Sequence, residues 1–316
     1  MTQIVVAALY KFASLPDPAA LQASLKHVCG DSGICGTLII AHEGINGTIA
    51  GSREGIDAVL GHLRLVPGLA DLEHKESFSD EPPFYRMKVR LKREIITMGV
   101  EGIDPNSLAG TYVDPRDWNA LIADPDVVLI DTRNAYEVEV GSFPGAINPE
   151  TSSFREFPAW FSGRIELHGK RKIAMFCTGG IRCEKAMAFL KLQGFDEVYH
   201  LQGDILKYLE TIPAQESVWR GECFVFDQRA ALAQGNAPGS HQLCHACRHP
   251  VSAADMASED YVAGVSCPRC RPTLSEARKT RFAERQRQME RAAIEGRRHL
   301  GAVPTPKRSK SAAVSA

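Results

Sequence analysis

The residues Ile173-Ala174-Met175-Phe176 form a short, unbroken apolar run, the signature of a strand buried on both faces. The run stops at Cys177, crosses two glycines, and opens into Glu184–Leu192, which carries a helical period. A buried strand that feeds a helix through a tight loop predicts a parallel sheet covered on both sides. The loop constrains the chemistry as well. Its backbone N–H groups and the helix N-terminus converge on the position of the Cys177 thiol, and both favour an anion. Arg182 adds a fixed positive charge. Such surroundings lower a thiol pKa from about 8.5 into roughly the 3.5–7.5 range, so that thiolate is present at neutral pH. Cys177 is therefore the predicted nucleophile, Arg182 its cationic partner, and Thr178, Gly179, Gly180 and Ile181 the anion loop. A cysteine that serves only packing has no use for Gly-Gly and Arg beside it.

Cysteine phosphatase loops resemble Cys-x5-Arg, long enough to ring a phosphate, whereas Cys177 and Arg182 are separated by four residues. The shorter loop resembles that of the rhodanese family, which carries sulfur as a cysteine persulfide. Upstream residues agree with that resemblance: Val127–Ile130 leads into Asp131-Thr132-Arg133, then Glu137, then Gly141-Ser142-Phe143-Pro144-Gly145-Ala146. Apolar strands alternate with helical segments from Thr111 to Leu209, which predicts an α/β unit over residues 110–217. Asp131 and Arg133 are expected to tie the sheet edge to the loop.

At 316 residues the chain exceeds one typical domain. The first hundred residues read as a separate unit. Ile4–Lys11 is a predicted strand, Pro18–Val28 a helix, Gly36–Ala41 and Thr48–Ala50 a strand pair, and Arg53–Leu65 a second helix. His74–Phe78 and Phe84–Leu91 supply further strands, giving the β-α-β-β-α-β order of a ferredoxin-like α+β domain over residues 1–100. Asn46-Gly47 is the dipeptide that a type I′ hairpin turn prefers and is expected at the turn. In Tyr85–Lys92 the alternation is strict, so Arg86, Lys88, Arg90 and Lys92 share one face. Four cations along a strand are suited to a phosphate backbone.

Cys244-x2-Cys247 and Cys267-x2-Cys270, nineteen residues apart, fit a closed four-thiolate metal knuckle, most commonly of structural zinc. The module is expected over 218–271, with folding energy drawn from its metal. Nine cysteines in a chain whose N-terminus reads as a strand argue for a reducing, cytoplasmic setting. No apolar run approaches the length of a membrane helix. Residues 271–310 hold twelve Lys/Arg against four acids, a local charge of +8 in a chain of net charge −1. A basic helix and disordered tail over 272–316 on an acidic body suggest a polyanionic partner.

Taken together, the Glu43–Thr48 stretch, the loop Cys177–Lys185, the segment Gly221–Asp227 and the paired Cys-x2-Cys resemble the bacterial rhodanese-domain tRNA uridine hydroxylases. That resemblance implies hydroxylation of the wobble uridine (position 34) of tRNA to 5-hydroxyuridine with dioxygen as co-substrate, Cys177 carrying a persulfide received from a sulfur donor. No flavin, haem or nicotinamide motif and no iron triad stands out by spacing. Cys183 is a candidate second thiol, with helix packing as its other reading. Two other functions fit parts of the chain: a plain sulfurtransferase passing sulfane sulfur to a thiol or a tRNA-thiolation pathway, and a non-catalytic adaptor. An intact nucleophile loop argues against the adaptor.

Overall fold

The protein is described from a computed structural model over residues 3–108, 110–164, 167 and 172–296. The N-terminal unit consists of β1 (Ile4–Phe12), α1 (Pro18–Asp31), β2 (Cys35–Ala41), β3 (Gly44–Gly51), α2 (Arg53–Arg64), β4 (His74–Ser79) and β5 (Met87–Leu91). The strand order β4-β1-β3-β2-β5 is the ferredoxin-like sheet, extended by β5 lying parallel to β2. Alternate residues of β1 (Val5, Ala7, Leu9) join Leu38 and Ile40 of β2 in one core with Leu21, Leu25, Val59 and Leu63 of the helices. Both helices are set by local chemistry. Asp17 and Ser52 cap the first turns by accepting from Ala20 N and Gly55 N, which satisfies N–H groups that otherwise lack partners.

One turn expectation is corrected. The β2–β3 hairpin turns at His42-Glu43, with Ala41 opposite Gly44, and Asn46-Gly47 lies inside β3, opposite Ile39 and Leu38. The dipeptide serves packing instead. A Cβ on Gly47 would stand 2.0 Å from Thr37 O and 2.9 Å from Leu38 Cα, and Asn46 Nδ2 donates to Ile95 O at 3.0 Å.

The central unit runs β6 (Thr111–Val113), α3 (Pro115–Ile122), β7 (Val127–Asp131), α4 (Ala135–Val138), β8 (Gly141–Ser142), α5 (Phe157–Ser162), β9 (Lys172–Phe176), α6 (Ile181–Leu192), β10 (Glu197–Leu201) and α7 (Asp204–Thr211). Strands β6, β10, β9 and β7 form one parallel sheet in that order. The central strand β9 is covered on both faces. Ile173 and Met175 enter a cluster with Phe157, Phe161 and Met187, whereas Ala174 and Phe176 enter one with Trp118, Phe143 and Tyr208. The strand period of two thus divides one apolar run between two cores. Trp219, Cys223, Val225 and Leu232 pack into the second cluster as well, so the chain beyond residue 217 continues inside this packing.

The remainder adds short ribbons, β11 (Arg220–Gly221) against β8, β12 (Cys223–Phe224) against β13 (Ala231–Leu232), and β14 (Gln242–Leu243) against β15 (Pro250–Val251). Then follow α8 (Ala253–Ala257) and the long α9 (Glu276–Ile294). Phe282 of α9 sits in the core of the four-cysteine module, and Arg285 donates to His245 O and Gly264 O. The basic helix is therefore docked. The expected tail beyond residue 296 lies outside the described residues.

Candidate active site

Cys177 follows directly on β9, and the residues after it turn back over its sulfur. Gly180, at φ 113, donates its N–H to Cys177 Sγ at 3.1 Å. This φ disfavours a side chain, and a Cβ there would lie 2.3 Å from Tyr10 Oη. The loop is braced from below by α7, whose Ile205 N–H donates to Cys177 O and Leu206 N–H to Thr178 O. Cys177 is buried, and its thiol pKa is lowered to about 7. Burial pushes it up. A hydrogen bond from Cys183 brings it down, Asp204 raises it, and Arg182 and His200 lower it.

Arg182 does not stand free over the thiol. Its guanidinium forks onto the Glu137 carboxylate at 2.7 and 2.8 Å and reaches Thr178 Oγ1 at 3.3 Å. Glu137 is itself fully buried. Burial would raise its pKa, but the charge and hydrogen bonds of Arg182 hold it below the usual carboxylate value. Most of the arginine's charge is thus neutralised by a partner 45 residues upstream, and the sulfhydryl of Cys183 does part of what the sequence assigned to arginine. Asp131 and Arg133 form a second buried pair, Arg133 also donating to Glu137 O and Gly141 O. They sit beneath the loop as a brace.

Several residues at the site had no role assigned from the sequence. The N-terminal unit closes over the loop. Tyr10 Oη donates to Glu184 Oε1 at 2.7 Å, and Lys75 Nζ to Gly179 O at 2.8 Å. Lys185, almost fully buried, binds both Glu43 and Glu94. Burial pulls the Lys75 pKa down and pushes Tyr10 well up. Behind the sulfur, His200 and Asp204 form a buried pair at 2.5 Å. Burial would lower the His200 pKa, but the charge of Asp204 raises it.

A cavity of about 420 Å³ opens above Cys177. Its walls come from β1 and β4 of the N-terminal unit, the Cys177–Arg182 loop, and the segment Val225–Arg229. Phe226 is 59% exposed, stands edge-on to Phe224, and lies under the Arg182 guanidinium. Asp227 and Arg229 pair beside it. An aromatic face, an ion pair and a buried thiol around one cavity suit a planar polar ring better than a small inorganic anion.

The four predicted cations are only partly gathered in strand. Arg86 precedes β5, Lys88 and Arg90 lie in it, and Lys92 follows it, lining the cavity. Burial lowers the pKa of Lys88, and so do Arg86, Arg90 and Arg248. Arg248 belongs to the turn of the first cysteine pair, so one cation of that module lies near the β5 cations. The four sulfurs of Cys244, Cys247, Cys267 and Cys270 lie within 4.8 Å of one another. Such a closed thiolate set fits a tetrahedral metal. The module touches the active unit where His249 meets Tyr136 edge-on, 4.9 Å between rings, and where Arg269 pairs with Glu139. Both partners flank Glu137.

A parallel α/β unit with a thiol in a Cys-x4-Arg loop defines a rhodanese-like protein, and residues 114–211 match the rhodanese-like domain. Residues 4–95 match a domain described as the UPF0176 acylphosphatase-like domain. Over the whole chain the similarity is closer. A tRNA uridine(34) hydroxylase of Albidiferax ferrireducens is 56% identical over 311 residues, 97% of this chain and 98% of that protein. Proteins of the same name from Agrobacterium fabrum (58%, covering 94% of this chain and 95% of that one) and Teredinibacter turnerae (55%, covering 95% and 94%) are similar. The chain belongs to the tRNA uridine(34) hydroxylase family.

Proposed function

We propose that this protein hydroxylates the wobble uridine of tRNA to 5-hydroxyuridine, using dioxygen and a persulfide carried on Cys177. The observation that carries the reading is whole-length similarity at 55–58% identity to proteins named for that activity. The site supports it. The Gly180 N–H directed at Sγ stabilises the anion of a thiolate or persulfide, and Arg182 fixes the loop through Glu137. The cavity admits a pyrimidine taken out of its stack, with Phe226 as the platform for its face. Arg86, Lys88, Arg90 and Lys92, with Arg248 near Lys88, offer phosphate contacts beside the cavity that Lys92 lines.

Cys244, Cys247, Cys267 and Cys270 would hold a structural zinc ion that folds the module and leaves no open coordination position. Among the described residues no helix is long and apolar enough to cross a membrane, and a tRNA substrate supports work in the cytoplasm. The sulfur arrives from an external donor. A plain sulfurtransferase would need the loop alone, whereas here a second domain and an aromatic platform enclose it.

The test is mass spectrometry of tRNA nucleosides from cells lacking the gene and its functional substitutes, rescued with wild type or Cys177→Ala. Restoration of 5-hydroxyuridine by wild type alone is expected. Unchanged hydroxylation with a fall in thiolated nucleosides would overturn the reading in favour of sulfur transfer.

A further inference from the structure

Cys183, Asp204 and His200 surround Cys177, yet a simple sulfur carrier needs none of them. Cys183 lies in the first turn of α6, fully buried, its Sγ 3.4 Å from Thr132 Oγ1 and 3.7 Å from Asp204 Oδ1. Both cysteine sulfurs and one oxygen of Asp204 lie within 4.8 Å of one another. A cysteine that served packing alone would sit among apolar atoms; this one faces a hydroxyl, a carboxylate and a second thiol. Asp204 sits at φ 57, in the left-handed region that aspartate enters more readily than most residues. There it accepts the Cys177 N–H and contacts His200 Nε2. Among the described residues, none hydrogen-bonds to His200 Nδ1. The arrangement is a thiol, a carboxylate and an imidazole in series, beside the sulfur of Cys177.

We infer that Cys183 is the resolving thiol of this loop: it attacks the Sγ of persulfidated Cys177, closes a Cys177–Cys183 disulfide and expels the outer sulfur as hydrosulfide. The inference rests on Cys177 carrying sulfur, as proposed above, and not on which base is modified. The Sγ–Sγ bond forms as the bond from Cys177 Sγ to the outer sulfur breaks, and the electron pair of that bond leaves with hydrosulfide. The Cys183 proton passes to Asp204, with His200 beside it to share the charge. Cys183 is oxidised as the outer sulfur is reduced to hydrosulfide, and Cys177 Sγ, already at the disulfide level in the persulfide, exchanges one S–S bond for another. An external dithiol then reopens the disulfide for the next cycle.

The order of events follows from where charge sits. In the unloaded loop the Cys183 sulfhydryl donates to Asp204 Oδ1 at 3.7 Å; burial, with the neighbouring Cys177 and Asp204, pushes its pKa well up, so the two thiols coexist reduced. Loading moves any negative charge one atom outward and leaves Cys177 Sγ neutral and electrophilic. The repulsion that kept Cys183 protonated falls, and its proton acceptor is already in contact.

The full-length protein is loaded with glutathione persulfide, freed of excess and digested with trypsin. Cleavage after Lys172, Arg182 and Lys185 separates the two cysteines onto different peptides, so a disulfide appears as a linked pair. The wild type is expected to release sulfide in step with formation of that pair. Cys183→Ser should keep one extra sulfur on Cys177 and release sulfide at least about tenfold more slowly, the loss expected when an intramolecular nucleophile is removed. Asp204→Asn should slow release at neutral pH and recover as pH rises. Sulfide release at the wild-type rate from Cys183→Ser overturns the inference. So does a persulfidated wild type that yields separate peptides and no sulfide, a result that stands even if the variants do not fold. Failure of Cys177 to gain sulfur at all overturns the carrier reading and this inference with it.

Discussion

Replacing Glu137 with glutamine removes one negative charge from beneath the nucleophile loop while keeping the side chain's shape. Arg182 is only 5% exposed and donates two hydrogen bonds to that carboxylate. Removing one partner of a buried ion pair costs about 3–5 kcal/mol. Because the amide oxygen still accepts one bond, the lower figure applies. At about 2–4 °C per kcal/mol, the melting temperature should fall by about 6–12 °C. The same change leaves the arginine's charge uncompensated near Cys177. With an effective dielectric of about 20, a unit charge at the neighbouring side chain is worth on the order of 1–2 kcal/mol, about one unit of thiol pKa, downward. Stability and thiol acidity therefore move together, less stable and more acidic. Differential scanning fluorimetry reads the first, and the pH dependence of iodoacetamide alkylation at Cys177 reads the second. Glu137 has a depressed pKa, so its contribution is present above the ordinary carboxyl range and is lost as pH falls through its folded value. The gap in melting temperature should close in that acid window. A variant as stable as wild type at neutral pH, or a thiol pKa that rises, would refute the coupling of Arg182 to both.

In the wild type, alkylation of Cys177 should rise through a midpoint of about 7, well below that of an ordinary thiol; a midpoint near about 8.5 would contradict the loop electrostatics. Metal analysis of the purified chain should give one zinc equivalent, and chelation should expose the module holding Cys244 to Cys270 to limited proteolysis while the N-terminal unit resists. An intact module without metal would show that its apolar core suffices. Arg86→Ala with Arg90→Ala should weaken tRNA binding and flatten its dependence on salt, by roughly one unit of slope for each phosphate that the variant no longer neutralises; an unchanged slope would move the RNA path elsewhere. Gly180→Ala adds a Cβ at 2.3 Å from Tyr10 Oη in a backbone conformation hostile to it. The expected result is loss of sulfur loading in a chain that still folds, read by intact mass after persulfide treatment.

Local sequence determined what depends on neighbours in the chain. The apolar run of β9, the glycine loop and the start of α6 are contiguous, so strand, loop and helix were legible together, with Cys177 at their junction. The clustering of the paired Cys-x2-Cys could be read because each pair presents two thiols from one turn, and the N-terminal order of elements was legible from periodicity. Asn46-Gly47 misled because a turn dipeptide is also what a close strand crossing accepts, and only the neighbouring backbone at Thr37 and Leu38 distinguishes the two. Tertiary structure decided the electrostatics. Glu137 neutralises Arg182 across 45 residues, and Asp204 reaches both cysteines from the start of another helix. Tyr10 and Lys75 arrive from a separate unit to close the loop. None of these leaves a periodic trace, because a side chain's charge acts over ångströms of space, and the chain brings those residues together only when both cores have closed.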